Sequence, residues 1–329
     1  MTLPLLWFLV VAVFWTGFFI LDGYDFGVGA LHRRIGRDKE ERHEVVETIG
    51  PYWDANEVWL VVAVAAVFAA FPDWYATWLS AGYLAFVLAL ALLLVRGTSI
   101  EYGSRGEGAT WDRAWGWGLV VSSLLIPFVL GLTLGDLLAG LPLDDSGAFT
   151  GGIADIVTPF GVLLGVVMAV LCVVQGGAFL LLRTTGDVRA RARRETSLVA
   201  VIAPLVVAAA AAWMFATDRI GLEARAVAIV AVAASVIAAF CVLRGRGGLA
   251  FVASTAAVAA TVASVFVGLY PDVVVSSSSA DSLSVTDAAS GHYALQVMSW
   301  VALALVPIVL GYQAWSYVLL RRRVLGVAS

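Results

Sequence analysis

Charge is scarce in this chain. Asp, Glu, Lys and Arg make up only 13% of its 329 residues, while 61% are hydrophobic. Ordinary soluble domains carry about 25% charged residues. So little polar material cannot cover so much apolar surface, which excludes a soluble globular protein and leaves lipid as the solvent. Cysteine and histidine are nearly absent. Cys172 and Cys241 lie in separate apolar runs with no metal-site or disulfide spacing, so both read as small buried hydrophobes. The three histidines are His32 and His43, in the first charged loop region, and His292, at the start of the last apolar run. None sits at mid-membrane depth, and Met168 and Met214 read as core filler. A haem ligated wholly by this chain therefore lacks axial ligands, and no Cys or His cluster marks a metal centre. No basic residue precedes the first apolar run and no small-x-small site follows it, so it reads as a spanning helix rather than a secretory signal.

Long apolar runs separated by short charged loops dominate instead. Nine are long enough to cross a bilayer: 3–31, 52–71, 78–96, 114–137, 158–183, 198–217, 224–243, 248–270 and 293–320. Backbone groups in lipid must be paired within the segment, so each is expected to be a helix. No run alternates in the manner of a barrel strand. The expected fold is all-α and polytopic.

The basic residues fall in alternate loops. Arg33, Arg34, Arg37, Lys39 and Arg42 follow the first run. Arg96, Arg105 and Arg113 follow the third. Arg183, Arg189, Arg191, Arg193 and Arg194 follow the fifth, Arg244 and Arg246 the seventh, and Arg321, Arg322 and Arg323 the last. Only Arg219 and Arg225 fall on the other side. The positive-inside rule then puts the N-terminus outside and the C-terminus in the cytoplasm. The outer loops fit: 140–155 is acidic and Gly-rich, and 271–291 carries the run SSSSADS, either disordered or a short cap. FLVVAVFWTGFFILDG and FGVLLGVVMAVLCVVQGG share weak features of a repeat, which permits two related bundles.

Polar residues enter the membrane near the cytoplasmic side. The first run ends LDGYDFGVGALHRR. Asp22 and Asp25 are three apart, on one helix face, and the apolar stretch continues past both. Gly23, Gly27 and Gly29 beside them suit close helix contact, because the pattern lacks the context of a nucleotide fingerprint. The second run opens GPYWDANEVWL. Pro51 suits a first turn, Asp54 and Glu57 are again three apart with Asn56 between them, and Trp53 and Trp59 bracket the acids. Arg96 ends the third run at the same depth, with Glu101 and Arg105 just beyond. Acids here have ordinary explanations: an interfacial pair, dipole-complementing first-turn acids, or interhelical glue. Buried acids beside an arginine are also the usual material of a proton relay. Elsewhere, Gln175, Gln296 and Gln313 are candidate interhelical hydrogen-bond donors, and Asp136 ends the fourth run on the outer side. Pro127 and Pro307 are candidate helix relaxers, Pro159 a helix start, and Trp74, Trp78 and Trp111 candidate interface anchors.

LDGYDFGVGAL, then GPYWDANEVWL and AAFPDWYA, closely resemble the N-terminal third of cytochrome bd oxidase subunit II. RGTSIEY resembles that family's arginine–glycine stretch, and SSSSADSLSVTDAASGHYALQVMSWVALALVPIVLGYQAWSYVLLRRR its last outer loop and last helix. The WDxNxVW pattern is the most specific part. The resemblance implies a non-haem subunit of a bacterial plasma-membrane enzyme that oxidises quinol and reduces dioxygen to water. Two b-type haems, haem d and the quinol-oxidising loop are expected on a partner, subunit I, and a small single-helix subunit can be present. Membrane lipid is the surrounding partner, and nothing calls for nucleic acid. Biased composition (abundant Ala, Val, Gly and Arg) suggests menaquinol. The family's architecture implies a first bundle over 3–137 carrying the acids, a second over 158–270 and an additional helix over 293–320. Asp54, Asp25, Arg96 and Asp22 match family motif positions, and Trp53 matches the tryptophan before Asp54. The expected proton-path residues are Asp25, Asp54, Glu57 and Arg96, supported by Asp22, Trp53, Asn56 and Glu101. The short outer loop around 218–223 makes a quinone role there doubtful. The rival readings are a purely structural subunit of the same complex and a secondary transporter, which needs a midplane cavity.

Overall fold

The computed structural model describes residues 2–103, 105–106, 108–278 and 281–319. Among these, nine helical stretches are long and apolar enough to cross a membrane, and the fold is an all-α polytopic bundle. The first span is two helices in line, α1 (Leu3–Leu21) and α2 (Gly23–Ile35). A short surface helix, α3 (Lys39–Glu47), follows, with Asp38 capping its first turn through a 2.8 Å bond from the Glu41 N–H. Next come α4 (Trp53–Ala70), the short α5 (Pro72–Ala81), α6 (Tyr83–Tyr102) and α7 (Ala109–Ala139). The second half contains α8 (Pro159–Arg183), α9 (Gly186–Ala216), α10 (Leu222–Leu243), α11 (Gly247–Leu269) and α12 (His292–Leu319). Residue 320 of the expected last run and the basic residues Arg321, Arg322 and Arg323 lie outside the described residues, as do Ser279 and Ala280 of the serine-rich run.

The most enclosed spans are α7 and α8, and α8 packs against α2, α7, α9 and α11. Lipid offers no hydrophobic drive between helices, so close backbone approach supplies the packing energy. A Cβ on Gly27 would fall on the Cys172 carbonyl and the Gly176 backbone, and one on Gly135 would meet the Cα of Gly161. These glycines are what let α2 and α7 lie directly on α8. By contrast α12 sits at the edge of the bundle. It is held by Trp7, whose indole Nε1 lies 3.2 Å from the Leu295 carbonyl and 3.0 Å from Ser299 Oγ.

Several boundaries differ from the sequence expectation, each for a physical reason. The run expected at 78–96 is two elements: α5 turns at Gly82, and α6 begins at Tyr83 and continues past Arg96 to Tyr102. Arg96 is therefore inside a helix, not at its end. Trp74 and Trp78 are not interface anchors. They are buried, Trp74 stacking on Trp78 beside Phe71, Phe8 and Phe266. Trp111 is exposed at the basic end. The arginine-rich segment expected as a loop before 198 is helical from Gly186. Its side chains reach neighbouring elements, Arg191 Nε donating to the Ile35 carbonyl at 2.7 Å and pairing with Glu41 at 2.7 Å. His32 is not in a loop: it is buried in α2, with Nδ1 2.6 Å from the Gly29 carbonyl.

The opposite end carries a folded cap. Within 271–291, β1 (Asp272–Val274) and β2 (Leu283–Ser284) pair antiparallel. Val273, Val274, Val275 and Val285 are buried. The cap is tied to α7 and the 140–155 loop through Val275 N–H to the Leu137 carbonyl and Leu141 N–H to the Val275 carbonyl, and to α4 through Ser290 N–H to the Ala70 carbonyl. Of the two expectations for this loop, the cap is the one that holds for its described residues. Asp136, at the same end, accepts from the N–H and hydroxyl of Thr158 and so fixes the start of α8.

Candidate functional site

The polar heart of the protein lies where α1 gives way to α2. The helix is interrupted at Asp22, and two carbonyls at the interruption are taken by side-chain amides from other helices. Gln175 Nε2 of α8 donates to the Ile20 carbonyl at 3.0 Å, and Asn56 Nδ2 of α4 to the Leu21 carbonyl at 3.0 Å. A side chain inserted into the helical ladder is a standard cause of such a break. In lipid, the freed carbonyls need these partners. Gln175 also reaches Thr255 Oγ1 at 3.0 Å, bringing α11 into the arrangement.

The interruption aims two carboxyls inward. Asp22 and Asp25 are fully buried, and so is Arg96 of α6. The guanidinium grips Asp22 with both terminal nitrogens, Nη2 to Oδ1 at 2.6 Å and Nη1 to Oδ2 at 3.2 Å. Nη1 also holds Glu57 Oε2 at 3.0 Å, and the guanidinium carbon lies 4.4 Å from the centre of the Phe26 ring. Asn56 Nδ2 lies 2.8 Å from Asp25 Oδ2 and 2.8 Å from the Tyr24 hydroxyl, and Gln313 of α12 reaches Asn56 Oδ1 at 3.2 Å. Asp25 Oδ1 has no hydrogen-bond partner in the structure. Three carboxyls thus lie around one buried guanidinium, which pairs with Asp22 and Glu57. A fork-shaped cation can bridge two of them, and the third is left to a neutral amide.

Of the sequence-derived candidates, the structure brings together Asp22, Asp25, Asn56, Glu57 and Arg96. Trp53 is half-buried against α6, its ring edge within contact of Gly97, next to Arg96. Asp54 is exposed on the outer face of α4, beside the partly exposed Glu57 but not within the cluster. Glu101 does not join it: it is exposed and pairs with Arg105 one turn on, at 3.0 Å. Gln175 and Gln313 make the interhelical bonds expected of them, while Gln296 is exposed. Sequence reasoning did not single out Tyr24 and Phe26, which lie between and beside the two acids. It also missed a small cavity of about 50 Å3 at the basic end, lined by His32, Ser99, Asp112 and Trp115 among others. Ser99 lies one turn beyond Arg96. Among the described residues no group of three or more His, Cys, Asp or Glu is arranged to hold a metal ion.

Residues 3–320 match the family model for cytochrome bd terminal oxidase subunit II. The chain belongs to this family. It is 41% identical over 324 residues to the cytochrome bd ubiquinol oxidase subunit 2 of Bacillus subtilis (strain 168), covering 97% of this chain and 96% of that protein. It is 32% identical over 353 residues to the cytochrome bd-I ubiquinol oxidase subunit 2 of Escherichia coli (strain K12), covering 96% and 93%. A chain in the structure of the bd oxidase from Geobacillus thermodenitrificans shares the fold, with a TM-score of 0.73, 18% identity and coverage of 98% of this chain and 100% of that one. In this subunit II family member, the buried cluster is made by the same short motifs whose spacing stands out in the sequence.

Proposed function

We propose that the chain packs on a haem-bearing subunit I in a bacterial plasma membrane and helps deliver cytoplasmic protons to the oxygen-reducing site of that partner. The quinol, menaquinol in this reading, is oxidised on subunit I, whose two b-type haems and haem d carry the electrons; an additional single-helix subunit can accompany the pair. In this reading the basic loops lie on the cytoplasmic side, with the N-terminus outside and the acid cluster toward the cytoplasm. Uptake on that side and quinol proton release on the other build a proton-motive force without a pump.

The observation that carries the reading is Asp25: a fully buried carboxyl with one oxygen on Asn56 and the other without a partner. Such a group can hold a proton on the free oxygen and pass it on without breaking an ion pair. Glu57 is partly exposed and Asp54 lies outside it on the face of α4, which gives a stepwise line from the bundle interior to the surface where a partner would sit. The cavity beside His32 and Ser99 has room for a few waters below the cluster. The gripped Asp22–Arg96 pair is the fixed part. A two-bundle organisation, 3–137 and 158–270 with the last helix added, belongs to the same proposal.

The test is oxygen consumption by the purified complex carrying Asp54→Asn or Asp25→Asn. Slowed turnover with unchanged haem spectra is expected. Turnover equal to the parent would overturn the proton role. Loss of haem absorbance would assign the residues to assembly instead.

A further inference from the structure

A second feature lies away from the acid cluster. Between α2, α7, α8 and α9 runs a cleft of about 390 Å3 whose walls are Ala30, Val120, Leu124, Val170, Val173 and Leu198. Its walls offer water few polar partners. An apolar occupant is favoured. One end is different: Arg33, Arg34, Glu195 and Trp117 close it at the basic side of the bundle. Arg33 sits 5.7 Å from the centre of the Trp117 ring. Arg33 and Arg42 share a single carboxylate, Asp112, at 3.8 and 3.2 Å. Arg34 is 72% exposed and only loosely held by Glu195, at 3.6 Å. The mouth therefore keeps a surplus of one positive charge over an apolar slot.

We propose that this cleft binds one anionic glycerophospholipid, its phosphodiester on Arg33 and Arg34 and an acyl chain between α7 and α9. The charge surplus matches the single negative charge of a phosphatidylglycerol phosphate, and basic pockets between spanning helices are suited to such headgroups. A neutral isoprenoid or a zwitterionic lipid would leave the surplus unanswered.

The complete complex, delipidated in a mild detergent, is titrated with phosphatidylglycerol or phosphatidylcholine, and bound lipid is read by native mass spectrometry. One phosphatidylglycerol is expected to bind in preference to phosphatidylcholine. Arg34→Gln should weaken it about fivefold and the Arg33→Gln, Arg34→Gln pair about 30-fold, the effect of one and two near-surface cations. Glu195→Gln should tighten it. Ala169→Phe, which fills the slot without touching a charge, should abolish it and separates loss of binding from misfolding at the arginines. Equal retention of the two lipids, binding indifferent to Ala169→Phe, or a neutral quinone recovered from the untreated complex in this slot would overturn the assignment.

Discussion

Arg96→Met is the substitution that most directly tests how the buried cluster is held. It removes the guanidinium that grips Asp22 twice, holds Glu57 and lies over Phe26, while keeping a side chain of similar length. Three carboxyls then face one another without a cation. Breaking a buried ion pair from one side costs about 3–5 kcal/mol, chiefly because the abandoned charge stays buried. Soluble chains somewhat shorter than this one lose about 2 °C of melting temperature per kcal/mol, so the variant is expected to melt about 6–10 °C below the parent. The companion is Arg96→Met with Asp22→Leu, which removes both members of the fully enclosed pair. Apolar replacement of both partners is often close to neutral, so the double variant should recover more than half of the loss. The assay is thermal unfolding in mild detergent, followed by loss of the monodisperse chromatographic peak. A single variant within about 2 °C of the parent would refute the reasoning, and so would a double variant no more stable than the single.

Other predictions follow from the same contacts. Gly27→Ala should lower melting by the equivalent of about 1–3 kcal/mol, because its Cβ meets backbone of α8. Gly29→Ala should be milder, since its Cβ meets the Ser123 side chain, which can turn away; equal losses would contradict this packing account. Asn56→Leu leaves the Leu21 carbonyl and Asp25 Oδ2 without their donor and should cost about 1–3 kcal/mol in the same assay. Outside the membrane, the Arg37 N–H and the Arg191 guanidinium hold the Glu41 carboxyl below its ordinary value of 4.5. A depressed folded value means that the tie between α3 and α9 is complete above that pH and is lost as pH falls through the folded value. Protection over 37–47, measured against the intrinsic exchange rate at each pH, should therefore fall on acidification below about 4.5, and Glu41→Gln should show the lowered protection already at neutral pH.

Much of the bundle was legible because lipid imposes a simple rule: a helix must be long and apolar. The limits of α8 and α11 fall within a residue or so of the expected 158–183 and 248–270. The rule failed where a helix leaves the membrane. The first turns of α9 are rich in arginine, so hydropathy ends there, but the backbone continues because Glu41 and the Ile35 carbonyl receive Arg191. It also failed at α5, where tryptophans that suit an interface are packed on one another inside. For the site, spacing by three found the pairs Asp22/Asp25 and Asp54/Glu57. It could not say which member of the second pair turns inward, since residues three apart differ by about 60° around a helix axis. That choice is made by Arg96, which comes from a helix far along the chain.

The bonds across the break between α1 and α2 also set an order of events during synthesis. The first span enters the membrane with two acids and a gap in its ladder of backbone bonds. One freed carbonyl waits for Asn56, 35 residues downstream, and the other for Gln175, 155 residues downstream. Until α8 has been made and inserted, no sequence neighbour can supply the second amide. A span made well before α8 is therefore among the last to reach its final form. Its half-finished state is the one in which a membrane chaperone or protease would meet the newborn chain, and truncation before α8 should leave a first span open to degradation.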